Sequence, residues 1–489
     1  MKYFFTWGLL LSFVLGFAQL EVEISEPISV TNNSSSFGKN SPKIKILNDG
    51  RVIIFWSKYG AASKLYFAIQ NGSSFDEPIQ IPTGSVNPNV WGFGLGPEFA
   101  MKDSVILVTF EKYGDAIYCV KSTDMGQNFS DPVVVYEPPS NKRSTLPTIT
   151  LSNEYNPVVG FITTNAFELD AEYMVVSSSD GGITFGDAVI ANGAADGEYV
   201  CECCPSTITI NDNGDYFVSF RNNNDNVRDI WISKSTDNGI SFPEAADVDE
   251  TNWVIQGCPS TGPHAFDMGA DLANVFFSDA ADWDYGIYVS TLNEATMIAG
   301  ETYKLPTIDG VDNLQNFPRI NGNADTLGVV WHESVSGIKE IILAYSTDGV
   351  AGLLENNVNI SDMTGNQAYP DIVYKDGIYH IVYEDNISGT VMYQTATLLE
   401  PVSVDDISNK EYELKVYPNP GNSIVTIEMV GNQSNNFSLI ISDITGRTLY
   451  KSNRFTNKAS IEVSDWKKGV YLIDVHNGHS RFFQKLFIN

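Results

Sequence analysis

Positive charge is scarce in this chain. Its 489 residues carry 29 Lys and Arg against 60 Asp and Glu, a formal net charge of −31. That balance excludes nucleic acid as a partner, because phosphate binding needs clustered cations. Long apolar runs are also missing. Beyond the N-terminal segment no stretch approaches the roughly 18 consecutive apolar residues that a membrane helix needs, so no transmembrane segment is expected in the mature chain. Cysteine is limited to five residues, four of them between Cys201 and Cys258. Against these shortages, 43% of residues are hydrophobic and 12% aromatic, a composition that excludes disorder and allows a large core.

The N-terminus combines Lys2, an apolar run from Trp7 to Phe17 and the small residues Gly16 and Ala18 before Gln19. Residues 1–18 therefore read as a cleavable signal peptide, which sends the cysteines into an oxidising compartment.

From Gln19 to about Glu400 the chain repeats. A proline followed by a short strand recurs at Pro42, Pro97, Pro147, Pro205, Pro263, Pro318 and Pro370. The fourth copy shows a whole unit: TITI, a turn at Asn211-Asp212-Asn213-Gly214, then YFVSF, DIWISKS and a weaker fourth strand. Four antiparallel strands in about fifty residues make one propeller blade. The expectation is an all-β chain, with a seven-bladed β-propeller over 19–400, a polar linker at 401–413 and a small C-terminal β-sandwich over 414–489. The last copy lacks an outer strand, which the segment from Val22 to Val30 is expected to supply, pairing near Val391 to Thr397.

A shorter repeat lies inside the first. The runs from Ser122 to Phe129, Ser178 to Phe185 and Ser235 to Phe242 all fit S-x-D-x-G-x-x-F. The Asp suits its own turn's N–H groups, the Gly the turn geometry, and the Phe the packing beneath. These runs resemble the Asp-box, or bacterial neuraminidase repeat, and residues from about 22 to 400 are similar to the sialidase superfamily. The resemblance implies a sialidase-like exo-glycosidase: arginines holding a substrate carboxylate, a Tyr paired with a carboxylate as nucleophile, and an acid/base Asp. The family's usual Arg-Ile-Pro near the first blade is replaced by Lys43-Ile44-Lys45, and no nucleophilic Tyr can be singled out among 23.

Directly after the seven prolines stand Lys43, Glu98, Thr148, Ser206, His264, Arg319 and Asp371, all polar, and the next residues are mostly apolar. Side chains alternate along a strand, so the polar set is expected at the mouth of the central channel. Lys43, Arg221 and Arg319 are the candidate substrate-binding residues, with Arg228 a further cation; Glu98, Asp371 and His264 are the candidates for proton transfer. The expected partner is an extracellular glycan. A polysaccharide lyase on the same scaffold, or a glycan- or protein-binding surface module, is the alternative.

Cys201, Cys203 and Cys204 precede Pro205, and Cys258 precedes Pro263-His264. Both loops lead into neighbouring inner strands, so the four thiols should meet, either as disulfides or, with His264, as a zinc or copper site. Cys119 reads as a core residue.

The C-terminal stretch contains Val416-Tyr417-Pro418-Asn419-Pro420, Asp443-Ile444-Thr445-Gly446-Arg447, Gly469-Val470-Tyr471-Leu472 and Gln484-Lys485-Leu486-Phe487-Ile488. Together these resemble the C-terminal sorting domain of the Bacteroidetes type IX secretion system. That resemblance implies the type IX machinery as a partner and a secreted or outer-membrane surface location.

Overall fold

The computed structural model describes residues 20–30, 41–90, 95–113, 115–165, 167, 169–197, 199–280, 283–311, 313–399, 412–431, 437–443, 446–456, 458–476 and 481–489. The expected signal peptide and residues 401–411 of the expected linker lie outside the described residues. One compact unit spans Leu20–Leu399 and a second holds Glu400–Asn489. Almost every regular element is a strand; a four-residue helix, Gly349–Gly352, stands among them.

Among the described residues the first unit contains seven antiparallel sheets of four or five strands. We label their first strands β1 (Lys43–Ile46), β2 (Glu98–Lys102), β3 (Lys142–Leu151), β4 (Thr207–Ile210), β5 (His264–Asp267), β6 (Gln315–Asn323) and β7 (Gln367–Lys375). Consecutive members are spatial neighbours from β1 to β7, and β7 in turn neighbours β1. Hydrogen bonds cross the joints. The Ile44 N–H of β1 donates to Asp371 Oδ2 of β7 at 2.9 Å, and the Ile320 N–H of β6 donates to His264 Nδ1 of β5 at 3.3 Å. Apolar faces close the gaps between sheets: Phe55, Phe67, Phe99, Val108 and Phe110 share one core, with the Phe55 and Phe99 rings stacked at 4.2 Å.

The prolines mark where pairing of the first strands starts or resumes. Proline has no N–H to give to a ladder, so pairing breaks around it. In β3, β6 and β7 the register shifts across Leu146-Pro147, Phe317-Pro318 and Tyr369-Pro370, and resumes at Thr148, Arg319 and Asp371. Each pre-proline residue there adopts a left-handed φ, between 52° and 57°, a local bulge that re-aims the strand. In β1, β2 and β5, pairing starts at Lys43, Glu98 and His264, the residues directly after their prolines.

The sheet that β7 opens takes its outer strand from the beginning of the unit. Glu21–Ile24 pairs antiparallel with Ala396 to Leu399, and Ile28–Ser29 pairs with Met392 and Tyr393. Val30, fully buried, donates its N–H to the Val391 carbonyl at 2.9 Å.

The three S-x-D-x-G-x-x-F runs fold into one turn. Ser122, Ser178 and Ser235 each accept, at Oγ, the N–H of the Gly four residues on, at 2.9 Å in every case. Asp124, Asp180 and Asp237 accept, at Oδ1, the N–H four residues further along, again at 2.9 Å. These bonds hold the Asp180 carboxyl below the ordinary range, the Thr184 hydroxyl and N–H contributing most. Gly126 carries the tightest geometry: its φ is +80°, and an added Cβ would meet Phe67 Cζ at 2.4 Å. Phe67 is fully buried and cannot swing away. Gly126→Ala is therefore expected to destabilise the unit by about 2 to 3 kcal/mol, read as a lower midpoint of urea unfolding. A wild-type midpoint would contradict this packing.

In the second unit, Tyr412–Tyr417, Ile424–Gly431 and Lys458–Glu462 form one antiparallel sheet. Phe437–Asp443, Thr448–Phe455, Gly469–His476 and Arg481–Ile488 form another. Ile427, Leu439, Ile441, Ile473 and Leu486 lie in a core drawn from both sheets.

Candidate functional site: a polar cavity where seven strands begin

All seven post-proline residues line one cavity of about 140 Å³. Of the residues that follow, Ile44, Ala265, Ile320 and Ile372 are buried apolar side chains outside the lining, whereas Phe99, Ile149 and Thr207 also border the cavity. Strand alternation separates the first four from the polar set.

Charge is paired inside the cavity. Lys43 Nζ lies 2.7 Å from Glu98 Oε1, and Arg319 Nε lies 3.9 Å from Asp371 Oδ1. Asp371 also receives the Ile44 N–H, so one carboxylate spans β7, β1 and the Arg319 guanidinium. Burial, then the Arg319 charge, lowers the Lys43 ammonium from its usual range, while Glu98 and Asp371 oppose the shift. His264 is pushed well below the ordinary imidazole range by burial first, then by Arg319, Lys45 and Lys43. It is therefore neutral at pH 7, and because Nδ1 accepts the Ile320 N–H the proton sits on Nε2. The buried Ser206 Oγ has no hydrogen-bond partner among the described residues, an unsatisfied group lining a polar cavity.

Two cavity-side residues escaped the sequence reading. Lys45, two residues beyond Lys43 on the same strand face, adds a third cation to the lining. Tyr369 joins Arg319, Lys43, Ser41 and Phe317 around a small adjoining pocket. Burial, and secondarily Glu384, pushes the Tyr369 phenol up to about 12. Its position directly before Pro370, inside the same repeat, was the available signal.

Arg221 lies elsewhere, and its expected role in substrate binding is corrected. It is fully buried, donating from Nη1 to the Arg228 carbonyl at 2.7 Å and from Nη2 to the Phe277 carbonyl at 2.5 Å. Its guanidinium also lies 5.3 Å from the Trp253 ring centre. A polar loop residue in sequence became an interior cross-link because its strand, Tyr216–Asn223, is buried along nearly its whole length. Around it sit buried carboxyls. Burial first, then Asp249 and Asp247, raises Asp229 to about 8. An acid raised in the folded state holds a proton the unfolded chain has already lost, so stability falls as pH rises from about 4 through 8. Asp229→Asn keeps the acceptor for the Trp253 N–H, bonded at 2.9 Å. The variant should lose much of that pH dependence and be more stable than wild type at pH 8. Parallel wild-type and variant urea midpoints at pH 5 and 8 would contradict this.

The four cysteines of the two loops meet, with their sulfurs all within 4.8 Å of one another. Cys203 and Cys258 form a disulfide across a Cα separation of 6.4 Å. His264 is not part of this group, and its expected place as a metal ligand is corrected. As the first residue of β5 it faces the cavity, with Nδ1 engaged by β6. Cys119 is buried in the core between the second and third sheets, its thiol pushed up to about 12 by burial.

Residues 415–489 match the family model of the secretion system C-terminal sorting domain. The protein is thus secreted or carried to the cell surface, and its C-terminal unit engages the secretion machinery. No helix among the described residues is long and apolar enough to cross a membrane. No curated protein matches the chain. Among solved structures, the chain is similar to a Dyadobacter fermentans protein of unknown function, at 14% identity and a TM-score of 0.46, over 77% of this chain and 99% of that one. It is similar to PorZ, a surface component of the Porphyromonas gingivalis type IX secretion system, at 14% identity and a TM-score of 0.43, over 95% and 61%. A Fusarium graminearum α-L-arabinofuranosidase is matched at 10% identity and a TM-score of 0.43, over 77% and 98%.

Proposed function

We propose that this is an exported, seven-bladed propeller acting on extracellular carbohydrate, with the polar cavity as its site and hydrolysis of a terminal acidic sugar as its reaction. The observation that carries the reading is the convergence of seven post-proline side chains, four of them forming two ion pairs, on one cavity. Lys43, Lys45 and Arg319 form an anion-attracting wall inside a protein of net charge −31. Arg319 takes the sugar carboxylate, and Asp371, tied to Ile44 and beside the guanidinium, orients it. Glu98, 2.7 Å from the Lys43 ammonium, is then the group placed to move a proton. Carboxylate capture by an arginine and proton transfer by a carboxyl group are two of the parts that the Asp-box resemblance implies for a sialidase-type glycosidase. Elimination is less well served, because the basic nitrogen of His264 already accepts a backbone N–H.

The test is a screen of the purified chain against sialylated and uronate-bearing glycans. Released acidic sugar without unsaturated product is the expected result, and Glu98→Gln should reduce turnover more than binding. Absorbance from an unsaturated product would make the protein a lyase, and binding without release would make it a carbohydrate-binding module.

A further inference from the structure

Cys201 and Cys204 stand apart from the bridge their neighbours make. Both are fully buried, and their sulfurs lie 2.7 Å apart. Two thiolates on one zinc, each about 2.3 Å from the ion, are held roughly 3.8 Å apart by the tetrahedral angle. The separation of 2.7 Å is too short for that arrangement and for ordinary sulfur contact, and lies on the side of a covalent pair. The Cys203 sulfur is already committed to Cys258, which removes two of the four ligands a closed metal site would need.

From this geometry we propose that Cys201 and Cys204 close as a second disulfide in the exported protein, so that two bridges side by side fix the loop entering β4. The consequence reaches the cavity, because Pro205 and Ser206, which follow Cys204 directly, form part of its wall. The Tyr173 hydroxyl donates to the Cys204 carbonyl, and the Cys201 N–H donates to the Arg221 carbonyl at 2.9 Å, so the segment is held from both ends.

A route for the oxidation is built in. Arg228 Nη1 lies 3.1 Å from Cys201 Sγ. Although burial acts to raise it, the hydrogen bond from Cys204 and the Arg228 and Arg221 charges bring the Cys201 thiol down to about 7. The Cys201 thiolate, 3.8 Å from Cys203 Sγ, attacks the Cys203–Cys258 bond and expels the exposed Cys258 as thiolate. Cys204 loses its proton and attacks Cys201, forming the Cys201–Cys204 bond and releasing Cys203. An external disulfide oxidant then re-forms Cys203–Cys258 and leaves as a dithiol. In sum, two S–H bonds of the chain become one S–S bond, and the oxidant carries away two electrons and two protons.

The experiment is a thiol count on full-length exported protein, denatured without reductant, alkylated with iodoacetamide and weighed intact. One label, on Cys119, rising to five after reduction, is the expected result. Three labels before reduction would mean that Cys203–Cys258 stands alone, and would overturn the proposal. So would five labels accompanied by stoichiometric zinc or copper in the native protein. Peptide mapping must then find Cys201 and Cys204 joined within one peptide; a bridge from either to Cys203 or Cys258 also overturns it.

Discussion

Replacing Arg319 with Ala is expected to lower affinity for an acidic glycan about a hundredfold, or roughly 2.7 kcal/mol, with the fold retained. The guanidinium is the one group in the cavity able to meet a carboxylate through two parallel hydrogen bonds, while Lys43 and Lys45 offer point charges. Removing it also leaves Asp371 facing the ligand's own negative charge without the cation beside it. Arg319→Lys restores charge but not the fork, so a loss of about tenfold should remain. Titration calorimetry with the glycan that wild type binds separates the two substitutions. Equal affinity of wild type and both variants would show that the cavity is ordinary solvated interior and that the glycan binds elsewhere. Circular dichroism checks that the ladder from Arg319 onward, paired with Val330, survives each change.

Removing residues 20–30 should be the most damaging change to stability. The deletion strips the outer strand from the last sheet and exposes the edge of Thr390–Leu399 along most of its length. It takes Val30 out of a core shared with Trp56, Val382, Val391 and Tyr393, and Val22 and Ile24 away from Tyr383 and Ala396. At about 1.5 to 3 kcal/mol per fully buried aliphatic side chain, with half-buried neighbours counting for less, the loss is on the order of 5 kcal/mol. That is comparable with the whole stability of many domains, and an open apolar edge invites aggregation. The expected outcome is insoluble or protease-sensitive protein. Val30→Ala provides a graded version, with a loss of about 2 kcal/mol by urea unfolding. A soluble deletion variant with the wild-type midpoint would show that the pairing contributes little.

Much of this architecture is readable from the chain because it depends on local rules repeated many times. Seven prolines mark where pairing of the inner strands starts or resumes, since a residue without an N–H interrupts a ladder; two-residue alternation then sorts Lys43, His264, Arg319 and Asp371 from Ile44, Ala265, Ile320 and Ile372. The S-x-D-x-G-x-x-F turns are equally local, each closed by bonds spanning four residues. Even the N-terminal strand could be placed, because a repeat lacking its last strand has one unpaired segment left to use. What sequence could not supply is the partner of each charged group. Arg221 and Arg319 look alike in the chain, yet one is enclosed by the Arg228 and Phe277 carbonyls and the other faces the cavity beside Asp371. His264 follows a cysteine-bearing loop, and only the β5–β6 joint decides that its Nδ1 meets a backbone N–H rather than a metal. Tyr369 gains significance only because the bulge at Pro370 carries it to the same pocket as Arg319. Periodicity fixes which face of a strand a side chain takes, whereas pairing across more than fifty residues of intervening chain is set by how neighbouring sheets pack.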